Sequence, residues 1–143
     1  MFKKIFPFYI KTEEGLACFI GDFFSANGEV KKKHHAINYL AAYFAKGHSF
    51  SETYKFLTDH GINNELAFQK TFRLKRGLTD TEIPGVFARE PMYYEGMIEV
   101  KNYLEKGGDI RKLYAGKVGL TEVDNIPLPD RQVIPKRLAS LVN

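Results

Sequence analysis

The sequence predicts a mainly α-helical protein of about six helices, and three observations lead there. Apolar residues recur at three- and four-residue spacing in several segments. Those segments open on capping residues and close on glycine or asparagine. No stretch sustains the apolar/polar alternation of a half-buried strand beyond short ambiguous runs.

Taken in order, Thr12 can cap a first helix that runs to about Ser25 and stops at Asn27-Gly28. A second helix spans about Val30 to Lys46, with Ile37, Leu40, Ala41 and Phe44 on one face and Gly47 as its stop. Ser49-Phe50-Ser51-Glu52 has capping-box spacing and opens a third helix, ending at His60-Gly61. The fourth spans about Asn64 to Arg76 and is stopped by Gly77. A loop from Leu78 to Glu90, long enough to suggest function, precedes Pro91. Pro91 suits the first turn of a fifth helix carrying Tyr93, Met97, Val100 and Leu104 and closing at Gly107-Gly108. Asp109 can cap a short sixth helix through Tyr114. Pro127, Pro129 and Pro135 keep the tail extended, apart from a last turn around Arg137 to Val142.

The chain of 143 residues reads as a single domain, 1–143, with enough length for a real core. Hydrophobic residues at 44% and charged residues at 27% argue against disorder. Without tryptophan, the core must draw on twelve phenylalanines and eight tyrosines. No apolar run approaches the roughly 20 residues of a membrane span. The stretch Met1 to Phe8 has a leader's basic-then-apolar look, but Pro7 and Lys11 break it and no small-residue cleavage site follows. One cysteine, Cys18, cannot form an internal disulfide, which points to a reducing, cytoplasmic setting. The net charge of +4 is modest. Lys31-Lys32-Lys33-His34-His35 reads as a solvated face rather than a nucleic-acid site, because no aromatic-basic stripe accompanies it.

The segment Lys11 to Ile20, KTEEGLACFI, sets two glutamates at the head of an apolar run. Glu14 shares a helical lane with Ala17, Cys18, Gly21 and Ser25, all small, whereas Glu13 shares one with Leu16, Ala17, Ile20 and Phe24. A lane of small residues lets another helix approach closely, so Glu14 would need a partner there. A basic side chain, the helix's own amides or a metal ion would each serve. The preference of a first turn for acids accounts for the pair equally well. Cys18 reads as a small packing residue, since no histidine motif would activate it as a nucleophile.

TEEGLA, Thr12 to Ala17, resembles the signature of the QEGLA-motif proteins, the group that includes the microtubule-associated tyrosine carboxypeptidases. TFRLKRG (Thr71 to Gly77), PGVFAREPMYYEG (Pro84 to Gly96) and YLEKGGDIRKLYAGKVG (Tyr103 to Gly119) resemble that family's later blocks in the same order. The resemblance covers about Phe8 to Pro129. It implies a helical, gluzincin-like zinc metallopeptidase in which two histidines of an HExxxH helix bind zinc, and the glutamate between them activates water. By that resemblance Glu14 is the third zinc ligand. By the same resemblance, Arg76 and Arg89 stand where basic residues would meet a substrate carboxylate, Tyr94 is a further substrate-binding candidate, and Tyr93 could donate to a developing oxyanion. Lys75 is a weaker candidate.

The departure is equally specific. His34, His35, His48 and His60 are the chain's histidines, and none begins HExxxH or HExxH. In the family that helix precedes the EGLA element, and only thirteen residues precede Glu14 here. The chain therefore reads as the C-terminal half of the family's domain. It would be inactive alone, and would bind zinc only with a complementary N-terminal half. The alternative is a non-catalytic helical module with an exposed groove, open to self-association. His48 with Glu52, and His34 with His35, read as solvent-facing pairs rather than metal sites. The substrate's identity is not written in these residues.

Overall fold

The computed structural model describes residues 9–25, 28–87, 89–128, 134–135 and 138. It is mainly α: α1 (Tyr9–Phe23), α2 (Gly28–Ala45), α3 (Phe50–Asp59), α4 (Asn64–Lys75), α5 (Glu90–Glu105) and α6 (Ile110–Leu113), then a 3-10 turn at Val123–Asn125. No strand occurs among the described residues. The expected turn at 137–142 lies outside them, except for Leu138, which is buried. Two compact units emerge, residues 1–28 with 92–143, and residues 29–91.

In the first unit, α1 begins three residues before the expected cap. Thr12 is therefore inside the helix, buried, and its hydroxyl accepts a hydrogen bond from the Leu120 amide at 3.1 Å. It anchors the segment after α6 instead of capping α1. α1 and α5 meet at two glycines. A Cβ placed on Gly15 would lie 2.1 Å from the Gly96 carbonyl carbon, and one on Gly96 would lie 2.2 Å from the Lys11 carbonyl oxygen. Backbone packs on backbone there, at a distance no side chain permits. Lys11 flanks the crossing and reaches Glu99 at 2.7 Å and Glu95 at 3.0 Å. Leu16, Val100, Ile110, Leu113, Val118, Val123 and Leu138 form the core beside it, with Phe19, Tyr103 and Tyr114 packed around them. At the end of α5 the chain doubles back under Tyr103, whose hydroxyl accepts from the Asp109 amide at 3.1 Å. Asp109 caps α6 as the sequence predicts, accepting from the Arg111 amide at 2.8 Å.

The second unit is built from α2, α3 and α4. The predicted capping box is present: Ser49 accepts from the Glu52 amide and Glu52 accepts from the Ser49 amide. Asn63 caps α4 one way, its Oδ1 accepting from the Leu66 amide at 2.9 Å. Ala41, Ala42, Ala45, Leu57, Ala67 and Leu74 form the core, the four alanines letting the helices approach closely. Two Phe-x-x-x-His segments close helices alike. His48 Nδ1 sits 2.8 Å from the Phe44 carbonyl and His60 Nδ1 2.7 Å from the Phe56 carbonyl. Their rings form one pile, His48 on Phe44 at 3.7 Å, Phe44 on Phe56 at 4.4 Å and Phe56 on His60 at 4.3 Å.

The same unit holds a fully buried lysine. Lys75 Nζ donates to the backbone carbonyls of Ala45 at 3.1 Å, Gly85 at 2.7 Å and Ile83 at 3.3 Å, and also to His48. Burial lowers its pKa, and the charges of Glu52 and Glu82 oppose that shift. The long loop after α4 is thereby tied down. It is pinned further by Phe50 N–H to Thr81 O at 2.8 Å and Phe87 N–H to Leu74 O at 2.8 Å.

Candidate functional site

Because α1 starts at Tyr9, Glu13 and Glu14 lie in its second turn, and its first turn carries no acid. The helix-dipole reading of the pair loses its force, since that effect fades beyond the terminal turn. Glu13 is exposed and Glu14 half-buried. No hydrogen bond or ion pair among the described residues engages Glu14. Cys18 and Asp22 follow at four-residue intervals, on Glu14's side of α1. Burial raises the Cys18 thiol pKa, and the Asp22 and Glu14 charges add to that shift.

The small-residue lane does not do what its composition suggested. Ala17 and Gly21 are exposed, and a Cβ added at Gly21 would meet nothing within 4 Å. Close approach occurs one lane over, at Gly15, where the missing Cβ rather than general smallness is what the neighbouring helix requires. The glycine of the EGLA element serves packing and leaves its glutamate turned elsewhere.

Tyr93 ends the first turn of α5 and Tyr94 opens the second, both half-buried, less than one turn before the Gly96 crossing. They belong with Glu14 to the first unit. Arg76 follows the last residue of α4, and Arg89 precedes α5. Both are exposed and belong to the second unit. Lys75, ranked lowest of the basic candidates, is enclosed by carbonyls and unavailable to a ligand. His48 and His60 are occupied in the ring pile, and Glu52 is committed to its cap. No group of three or more His, Cys, Asp or Glu side chains able to hold a metal ion occurs among the described residues.

The family model of the microtubule-associated tyrosine carboxypeptidases (MATCAP) matches residues 1–134. The chain belongs to that family. MATCAP2 of mouse and of human are each 31% identical to it over 116 residues, which is 80% of this chain and 22% of the relative. Human microtubule-associated tyrosine carboxypeptidase 1 is 26% identical over 115 residues, covering 80% of this chain and 24% of the relative. This MATCAP-family chain thus spans less than a quarter of the length of the relatives it matches. No helix among its described residues is long and apolar enough to cross a membrane.

Two features of the MATCAP-family chain escaped sequence reasoning. The Gly15–Gly96 crossing had a faint signal, a glycine inside each of two helices, where glycine is unfavourable unless close packing requires it. The buried Lys75 had none, because a lysine at a helix C-terminus ordinarily faces water.

Proposed function

We propose that this chain supplies the third-ligand helix and the substrate-side residues of a zinc carboxypeptidase. The HExxxH segment would come from polypeptide outside these 143 residues. Glu14 carries the reading: it is a half-buried carboxylate with no hydrogen bond or ion pair among the described residues, next to the glycine that fixes α1 against α5. Such a group is a competent single ligand, and among the described residues it belongs to no group of three or more His, Cys, Asp or Glu side chains able to hold a metal ion. Zinc, when bound, would lower the pKa of its water to about 7 and polarise the scissile carbonyl. Tyr93 would donate its hydroxyl to the oxyanion. Arg76 and Arg89 are the basic residues proposed for the carboxylate of a peptide ending in an aromatic residue, and Tyr94 is proposed as a substrate contact. The half-buried lone cysteine fits a reducing, cytoplasmic setting.

Zinc content measured on the chain alone, on the chain mixed with an HExxxH-containing family segment, and on Glu14→Ala tests this. The expected result is little zinc alone and one zinc per complex, lost in Glu14→Ala together with release of a C-terminal tyrosine from a peptide. Stoichiometric zinc that survives Glu14→Ala would sink it. A second reading, a non-catalytic interaction module, is favoured by one observation: Phe68 and Phe72 stack along an exposed face of α4, 53% and 58% accessible. It predicts no zinc in any mixture and self-association visible by light scattering.

A further inference from the structure

In the second unit, α4 turns Glu65, Phe68, Gln69, Phe72 and Arg76 to solvent. At 3.6 residues per turn these five share one stripe, about 100° wide. Its middle is apolar. Phe68 and Phe72 are 53% and 58% accessible, their rings stacked 6.4 Å apart. Phe50, the first residue of α3, sets its ring against Phe68 at 5.6 Å and widens the patch. The two ends of the stripe carry opposite charges. Glu65 lies in the first turn of α4, where the Gln69 Nε2 donates to it at 3.3 Å, a neutral partner that leaves its charge in place. Arg76 lies about three turns further on. Its amide still donates to the Phe72 carbonyl at 2.9 Å, so it keeps the helical register.

We propose that this stripe is the interface of a homodimer, in which two copies of the chain pack α4 on α4, antiparallel, about a twofold axis. A twofold interface must complement itself, residue i meeting j and j meeting i. The stripe does so about the midpoint between residues 70 and 71. With a rise of about 1.5 Å per residue, Phe72 falls within about 1.5 Å, along the axis, of Phe68 of the second copy, and the four rings interleave. In the same register Glu65 falls level with Arg76 of the second copy, so the twofold makes two such ion pairs, one at each end. A foreign helix could cover the rings, but it would not require a glutamate and an arginine placed symmetrically about them. Size sets the strength. Four half-exposed rings of about 200 Å² each supply about 400 Å² of apolar surface, which places the interface in the transient class below roughly 1,200 Å². The inference rests on the second reading above and gives its self-association a face. In the zinc reading Arg76 meets a substrate carboxylate instead, and the two uses exclude each other at that residue.

The test is sedimentation of the 143-residue chain across a concentration series. The mass should rise from monomer to dimer and stop there, because a twofold closes. Phe72→Ser, at an exposed position, should weaken the dimer about tenfold or more, as for loss of an aromatic anchor. Glu65→Arg and Arg76→Glu should each weaken it, since each sets like charges opposite one another. An equimolar mixture of those two variants should associate more tightly than either alone, because opposite charges meet again. Phe72→Ser gives an independent variant should a charge reversal fail to fold. A monomer at every concentration, growth past the dimer, an unchanged affinity in Phe72→Ser, or a mixture no tighter than its components would overturn the interface. Self-association that none of the variants moves would overturn it while leaving the second reading standing. Zinc bound in the mixture with an HExxxH segment would overturn that reading instead.

Discussion

The two units of this chain solve the same problem, holding helices close, in opposite ways. In the first, α1 and α5 touch through bare backbone at Gly15 and Gly96, and large aliphatic side chains fill the space beside the contact. In the second, alanines form the helix contacts, four stacked rings close the helix ends, and a lysine ties the following loop to both. The first arrangement tolerates no added atom, and the second tolerates no lost donor. Side by side they show why a motif cannot be read as one function: in EGLA, the glycine is fixed by packing, while the neighbouring glutamate is half-buried and takes no part in that contact.

The most damaging test of that contrast is Gly15→Ala or Gly96→Ala. Each new methyl would fall about 2 Å from main-chain atoms that cannot rotate away, so α1 and α5 must separate. Urea unfolding should show a loss of about 3 kcal/mol or more, at the upper end for overpacking. Gly21→Ala on the same helix, with nothing within 4 Å of the added atom, should instead gain about 0.5–1 kcal/mol. Equal effects at the two positions would remove the backbone contact as the defining feature of the first unit.

Next in size is Lys75→Met, which keeps the volume and removes the donor. The carbonyls of Ala45, His48, Ile83 and Gly85 would lose the ammonium that satisfies them, at a cost of about 2–3 kcal/mol. Hydrogen exchange at the Gly85 and Phe87 amides, which bond to Ala45 and Leu74, should accelerate first. A loop that stays as protected as in the parent would mean that the side chain is buried but does not hold it.

Both features bear on what could be read from the residues alone. The helices were legible because capping and glycine stops are local, and Ser49, Asn64, Asp109 and Gly107 sit where the chain reads them. The start of α1 was not. Thr12 is a good cap by type, and only the distant Leu120 amide reassigns its hydroxyl. The 3-10 turn at Val123–Asn125 was missed because no strong periodicity marks three residues. Glu14 was legible as a distinct group through its lane and its motif. What lies against that lane was not, since small residues permit close approach without requiring it, and the approach occurred at Gly15. The cavity between α2 and α4 was hidden because its lining residues converge only once the two helices pack.

A smaller effect belongs to Tyr103 in the first unit. Burial raises its pKa, and its hydroxyl accepts from Asp109 N–H where α5 turns into α6. Tyr103→Phe keeps the ring that roofs Gly108, 2.4 Å from where a Cβ would stand, and should cost about 1 kcal/mol by thermal or urea unfolding. A larger loss would show that the hydroxyl organises the turn rather than only satisfying one amide.

The smallest expected effect separates the units by pH. The Ser49 backbone N–H holds the Glu52 carboxyl below its ordinary value, with the Ser49 hydroxyl adding to the shift. A depressed folded-state pKa means that the carboxylate's contribution is complete above the unfolded value near 4.5 and fades as pH falls through the folded value. Ser49→Ala removes the hydroxyl that accepts from the Glu52 amide and should cost about 1 kcal/mol at neutral pH, as for loss of an N-cap. That gap should narrow as the medium is acidified from about pH 6 to about pH 3. Asp109, held low by Arg111, responds to acid in the same direction, but it caps α6 in the other unit and is untouched by the substitution. Its contribution cancels in the difference between the parent and Ser49→Ala. Ser49→Ala keeps the backbone N–H that bonds Glu52, so a gap that stays constant across the range would mean that the Ser49 hydroxyl caps the Glu52 amide without acting on the Glu52 carboxyl.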